Sequence, residues 1–271
     1  MEKRLHVVPM ALSVLMALSV LSCASRPSPI RTLPEKPETG LPESLPEEAG
    51  KLPSIKDKEP LEDASGILLA FDDDHADVWE GYFDLLDRYG AKVTFFVQGD
   101  YDPFCEAAEK KGHEIGYHTK SHANLLKISR EEFLEETLGA AEAIRRRGIT
   151  LKAFAYPYGF FEPWMEEILG KSFPIRSGFG ASSWIYSVYT LRSGYISSKS
   201  IDNIRYKSDA EFEADIKTML MMIQADGGIL PLTTHTIAAE ADWGISPERL
   251  EYLLRTAAEL GLKFYRYGDF F

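Results

Sequence analysis

Polar and apolar positions divide the 271-residue chain into three unequal parts. The first opens on Met1-Glu2-Lys3-Arg4 and runs into an apolar stretch from about Val7 to Leu21. That stretch is too short to span a bilayer comfortably, and a basic start before a short apolar core is the layout of an export signal. From Ala24 to about Ala64 no apolar period survives, and eight of the fifteen prolines fall there among many glutamates. A segment of this kind buries too little apolar surface to offset its ordering entropy, so it predicts an extended tether. From Ser65 onward the pattern is that of a folded domain.

Within residues 65–271, short β-rich runs alternate with helical patterns. Gly66–Phe71 (GILLAF) is an apolar run suited to a strand buried on both faces. Trp79–Tyr89 is helical in pattern, Lys92–Val97 is β-rich, and Asp102-Pro103 starts a helix. His113–Tyr117 reads as a strand. Ser129 and Glu132 form a capping box that opens a helix with Phe133, Thr137, Ala140 and Ile144 on one face. Leu151–Tyr156 is strand-like. Ser208 and Glu211 predict a second capping box, before a helix that aligns Phe212, Ile216, Met219, Leu220 and Ile223. Gly228–Thr234 is a further strand, Ser246-Pro247-Glu248 starts the last helix, and Lys263–Tyr267 closes the domain. Repeated β-α units over one domain predict a parallel sheet, either barrel or doubly wound. Residues 172–207 carry no readable pattern.

Charge narrows the functional classes. With 42 acidic against 30 basic residues the formal net charge is −12, and no basic block is present, which argues against nucleic acid as a partner. The two cysteines, Cys23 and Cys105, predict no internal disulfide. Val20-Leu21-Ser22-Cys23 resembles a bacterial lipobox, in which the chain is cleaved before a cysteine that then carries lipid. Residues 1–22 are then a lipoprotein signal, 23–64 a lipidated tether and 65–271 the domain, anchored in the bacterial cell envelope. An uncleaved membrane anchor is the other reading. Cys105 is expected to be a packed helix residue.

Four polar clusters follow the expected strands: Asp72–His75, His118–His122, Tyr156–Gly159 and Thr233–His235. In parallel α/β folds, the C-terminal strand edge is where active sites sit. His118 and His122 are four apart, so one helical turn would put both imidazoles on one side. Two imidazoles and a carboxylate with an open position make a catalytic zinc-type site. Taken alone, such a histidine pair is more often two surface or capping residues; the carboxylates at a neighbouring strand end favour metal. Neighbouring strand residues face opposite ways, so Asp72 and Asp73 share a site only where the strand is ending.

FDDDH (71–75), GHEIGYHTKSH (112–122), FAYPYG (154–159) and LTTH (232–235) occur in the order found in the polysaccharide deacetylase (NodB homology) family, similar to carbohydrate esterase family 4. The resemblance covers essentially residues 65–271. It implies a distorted (β/α) barrel and hydrolysis of the N-acetyl amide of amino sugars with a bound divalent metal, zinc being the expected ion. By motif position it implies Asp72 as catalytic base, and Asp73, His118 and His122 as metal ligands. The Tyr158 amide becomes an oxyanion donor and His235 the general acid. It also implies an N-acetylated glycan as the partner.

Three positions depart from the family's common pattern. Ala155 stands where many members have an arginine that pairs with the base, and Asp74 replaces a glycine. Asp74 also admits a shifted pairing, with Asp73 as base and Asp74 as ligand. Thr233 stands where a leucine often lines the acetyl pocket, and Leu232 or Ile237 is expected to replace it. Tyr158, Phe160, Phe161 and Trp164 are a sugar-stacking platform or core aromatics. His75 is expected at the site's edge and His113 in a structural role, while Asp242 is the candidate to orient His235. Two rival functions stay open: a glycan-binding protein with a degenerate site, and hydrolysis of a small non-sugar amide.

Overall fold

The apolar run at Gly66–Phe71 forms a nine-residue strand, β1 (Ser65–Asp73), whose interior positions are all buried. The computed structural model describes residues 65–179, 185–187, 191 and 193–271. The export signal, Cys23 and the tether lie outside these residues. Parallel strands β2 (Thr94–Val97), β3 (Glu114–Tyr117), β4 (Ala153–Ala155), β5 (Ile175–Phe179), β6 (Tyr195–Ser200) and β7 (Gly228–Thr234) follow in spatial order. β7 returns to pair with β1 along its length, from Ser65↔Gly228 to Phe71↔Thr234, and closes a seven-stranded barrel. A minor parallel pair, β8 (Thr236–Ile237) with β9 (Gly244–Ile245), lies past the end of β7. β10 (Lys263–Tyr265) pairs with the first half of β1.

Alternation along β1 separates two cores. Ile67, Leu69 and Phe71 face the outer helices and pack with Trp79, Phe83, Phe95 and Phe104. Leu68 and Ala70 face the barrel lumen with Phe96, Ala153, Ala155, Ile175, Ile196, Ile229 and Tyr267. The lumen is tight. A Cβ at Gly116 would meet the Phe96 ring at 2.4 Å, which is why β3 carries glycine there. Asp72 continues the lumen-facing series 68, 70, 72 and so points inward at the barrel's mouth.

The helices form largely where the pattern places them. Ser129 and Glu132 make the full capping box. Ser208 caps the helix Asp209–Asp226, but Glu211 reaches the N–H of Lys207 rather than that of Ser208, so the second box is only half closed. Cys105 is buried in the helix Phe104–Lys110. His113 is buried against Phe83 and Phe95, its Nδ1 accepting from Val93 N–H. Burial pushes its pKa down to about 4, with nearby Lys92 adding to the effect, so this histidine is neutral and structural. Among the described residues no helix is long and apolar enough to cross a membrane.

Candidate active site

The barrel's mouth is built from backbone conformations that the residues resist. Among the described residues, four non-glycine positions have positive φ: Asp73 (88°), Thr119 (72°), His122 (56°) and Tyr158 (59°). All four belong to the strand-end clusters. Such conformations disfavour L-residues and persist only where surrounding contacts hold them, which is common at functional sites.

At Asp73 this conformation ends the strand alternation. The carboxylate that regular pleating would aim outward turns to the mouth, beside that of Asp72. Asp73 Oδ1 lies 3.3 Å from His118 Nε2 and 3.3 Å from His122 Nε2. It makes no well-formed hydrogen bond there. One donor atom from each of the three residues falls within 4.8 Å of the others. Ligands about 2.0–2.1 Å from a tetrahedral zinc stand roughly 3.3–3.4 Å apart, so the observed separations suit three ligands of one divalent cation. Asp74 is exposed and outside this group, which removes the shifted pairing.

His118 and His122 do not sit on a helix. The loop between them turns through left-handed residues at Thr119 and His122, and the Thr119 hydroxyl accepts His122 N–H at 3.1 Å. The helical-turn expectation is corrected here: spacing four brought the rings together, at 4.9 Å between centroids, through a different backbone path. His118 Nδ1–H donates to Ala155 O at 2.8 Å, which fixes the ring's orientation and turns Nε2 toward Asp73. Ala155 thus contributes its carbonyl, while its side chain lies in the lumen core.

Asp72 is 5% exposed, and its buried Oδ1 has no hydrogen-bond partner. Burial raises its pKa to about 6, against the pull of His118 and His235. Asp73 responds oppositely. Burial opposes its ionisation, but contact with His118 and the charges of His118, His235 and His122 outweigh it and hold the pKa at about 2. Two neighbouring carboxylates are therefore driven apart in acidity, one suited to ligation and the other to proton transfer.

The partner of His235 is Asp202, a residue the sequence pattern did not single out. His235 Nδ1 lies 3.0 Å from Asp202 Oδ1. Asp202 is 0% exposed and also accepts from the Thr234 and Ser200 hydroxyls. Burial lowers the pKa of the imidazolium, but the Asp202 hydrogen bond and charge outweigh it and lift the pKa to about 9. Asp242 is exposed, and only its backbone carbonyl is engaged, by Ile204 N–H. The signal that would have found Asp202 is the strand-end rule itself: Asp202 follows β6, inside the unreadable stretch 172–207.

Trp79 Nε1–H donates to His235 O at 2.9 Å and anchors that backbone from the outer core. His75 stands edge-on to Trp79, with ring centroids 5.9 Å apart, and is not among the three convergent donors. Tyr158 and Phe160 are exposed, and the Tyr158 ring lies 4.6 Å from that of His122. Phe161 packs against Tyr156 and Tyr195 in the core. Trp164 packs edge-on to Phe133, under the Arg130 guanidinium, and so joins two outer helices. Leu232 and Ile237 are buried in the helix-facing core. By alternation Thr233, not Leu232, shares the lumen side with Asp72, and its hydroxyl donates to Ser198 Oγ at 2.7 Å. An acetyl pocket lined by Leu232 is therefore not formed.

Comparison with known proteins agrees with this architecture. Residues 62–171 match the sequence profile of the polysaccharide deacetylase family. The peptidoglycan-N-acetylglucosamine deacetylase of Bacillus cereus is 30% identical over 99 residues, 34% of this chain and 36% of that protein. PgdA of Listeria monocytogenes, a peptidoglycan-N-acetylglucosamine deacetylase, is 32% identical over 110 residues, covering 38% of this chain and 24% of its own length. The chitooligosaccharide deacetylase of Sinorhizobium fredii is 28% identical over 128 residues, 45% of this chain and 57% of that one. The chain thus spans less than two thirds of each relative's length. Among solved structures, the Xyl-CE4 domain of a xylanase from the hindgut metagenome of Trinervitermes trinervoides superposes with a TM-score of 0.54 at 18% identity, covering 77% of this chain and 90% of that one. The chitin deacetylase of Colletotrichum lindemuthianum gives 0.54 at 17%, covering 76% and 89%; these likenesses show the barrel fold. The profile match and the relatives thus make this chain similar to the polysaccharide deacetylase family over residues 62–171, and the solved structures show that its fold is that of such enzymes.

Proposed function

We propose that the chain removes acetyl groups from the N-acetylated amino sugars of an envelope glycan, peptidoglycan or a poly-N-acetylhexosamine. Asp73, His118 and His122 hold a divalent cation for this reaction, and zinc is the ion their two imidazoles and carboxylate suit best. One arrangement carries the reading. A buried carboxylate with a free oxygen, Asp72, stands beside three convergent ligands and within electrostatic reach of a histidine kept charged by Asp202. Relatives named as peptidoglycan and chitooligosaccharide deacetylases support the substrate class.

A cation bound by those ligands supplies Lewis acidity to the acetyl carbonyl and to the attacking water. Asp72, outside the ligand set, takes the proton from that water; near pKa 6 it is ionised at neutral pH and still basic. Tyr158 N–H opens a tight turn, Pro157–Gly159, where it has no helical carbonyl to meet, and it donates to the developing oxyanion. His235, charged at neutral pH, gives its Nε2 proton to the departing sugar nitrogen.

Release of acetate from N-acetylated oligosaccharides by the full chain tests the proposal. Activity should vanish with a chelator and return with zinc. Tight glycan binding without turnover under several metals would overturn it, and turnover confined to small non-sugar amides would redirect it.

Substrate handling is also accessible to test. Trp243 is 51% exposed and stands edge-on to His235, with ring centroids 5.7 Å apart. Its loop is pinned by Asn203, whose Nδ2 donates to Ala238 O and Ala241 O. The amine-bearing ring must lie on the His235 side, so Trp243 is placed to stack on it. Aromatic stacking is worth about 0.5–1.5 kcal/mol, so Trp243→Ala should raise KM up to about tenfold with kcat nearly unchanged. Trp243→Phe should recover most of the loss, and an unchanged KM would dismiss the contact.

The Ser22-Cys23 junction supports anchoring at the cell envelope through a lipid on Cys23. The mass of the mature N-terminus tests this, an unmodified Cys23 being the contrary result.

A further inference from the structure

The helix beside the histidine loop is interrupted. Arg130–Leu134 and Ala140–Arg145 are α-helical, and Glu135–Gly139 between them forms a single π turn. In an uninterrupted α-helix Ala140 N–H would meet Glu136 O, four residues back. Here it reaches Glu135 O, five back, and passes over Glu136. The Glu136 carbonyl, so released, accepts Lys120 N–H at 3.0 Å. Its carboxylate reaches toward the same loop. Oε1 accepts from the Ser121 hydroxyl at 2.7 Å and Oε2 from Ser121 N–H at 2.9 Å. One residue therefore takes three hydrogen bonds from two consecutive loop residues, and the next residue is His122.

The loop needs such support. Thr119 and His122 both sit in the left-handed region, which non-glycine residues leave unless they are held. The Thr119 hydroxyl braces the turn from within through His122 N–H. The neighbouring Lys120–Glu135 ion pair is largely exposed and contributes little. Glu136 is half-buried and binds the loop through charge-assisted hydrogen bonds, which are stronger than neutral ones.

We infer that Glu136 is a positioning residue: together with its π turn, it holds the 119–122 loop in the conformation that brings His122 to the same cation as Asp73 and His118. The inference rests on the cation-binding part of the proposed function and requires no substrate. Outer-shell partners of ligands are typically worth 10- to 100-fold in metal affinity.

The test is zinc affinity of the full chain, measured by competition with a chromogenic chelator, alongside melting of the metal-free protein. Glu136→Ala should weaken zinc binding about 10- to 100-fold with little change in metal-free melting. Glu136→Gln keeps one acceptor oxygen for Ser121 and should lose less. Ser121→Ala keeps its N–H bond and should also lose less. An affinity of Glu136→Ala within about threefold of the parent's overturns the inference. So does a loss of affinity matched by an equal loss of metal-free stability, which would make Glu136 a fold residue only. Failure of acetate release leaves this result standing, whereas a parent chain that binds no zinc removes both readings.

Discussion

Replacing Asp72 with asparagine is expected to lower acetate release about 10³-fold while cation affinity and fold persist. A general base contributes about 10²- to 10⁴-fold, and 10³-fold corresponds to about 4 kcal/mol of barrier. Asparagine keeps the volume and removes only the ability to take a proton. Binding should survive because Asp72 stands outside the three convergent donors Asp73, His118 and His122. Folding should survive for a separate reason. The pKa of Asp72 is raised by burial from 3.8 to about 6, so its ionisation costs stability as pH rises between those values. A neutral amide avoids that cost, and the variant should melt no lower than the parent at pH 7. Single-turnover acetate release, zinc competition and melting curves together check the prediction. Undiminished release would remove Asp72 as the base.

Asp202→Asn is expected to act on the other half of the reaction, through the protonation of His235. Burial alone would push the imidazolium pKa below its ordinary 6.5; Asp202 lifts it to about 9. An amide in place of the carboxylate removes the charge that opposes burial. With Asp72 and Asp73 still favouring the imidazolium, the alkaline limb of kcat/KM should then move down from about pH 9 toward the ordinary imidazole range, with a fall of roughly tenfold or more at pH 8. Stability gives an independent sign. A histidine whose folded pKa is raised contributes stability that is complete below its unfolded pKa and disappears as pH rises through the folded one. The melting gap between parent and variant should therefore be widest below pH 6.5 and narrow above about pH 9. An alkaline limb that stays near 9 would detach Asp202 from the acid's charge state.

The missing arginine of the family pattern has a local counterpart in these numbers. The groups that draw the Asp72 pKa down are the imidazoles of His118 and His235. Asp72, His118 and His235 are thereby coupled through space, and Ala155 contributes its carbonyl bond to His118.

Much of this could be read in the order of residues. Alternation along Gly66–Phe71 placed β1 and its two buried faces, and the Ser129–Glu132 box placed a helix start to the residue. These are short-range consequences of side-chain period and capping. Polar residues after apolar strands likewise marked Asp72, Asp73, His118, His122, Tyr158 and His235. Their nearness to one another follows from strand order in a closed parallel barrel.

What the linear pattern left open depends on contacts between distant segments and on backbone conformations that residue type disfavours. Asp202 lies 33 residues from His235, and nothing local in its segment tells of the pairing. The left-handed φ at Asp73 and His122 runs against residue preference, so only the surrounding hydrogen bonds reveal it. Leu232 was misplaced for a related reason. Apolar residues near a site look alike in sequence, and only the register of β7 against β1 shows that Leu232 serves the outer layer. Residue chemistry and local period thus determined most of the elements and marked most of the polar groups at the barrel's mouth. Barrel closure and long-range hydrogen bonds decided which of those groups meet, because the energy that holds a strained loop or a buried ion pair comes from partners far away in the chain.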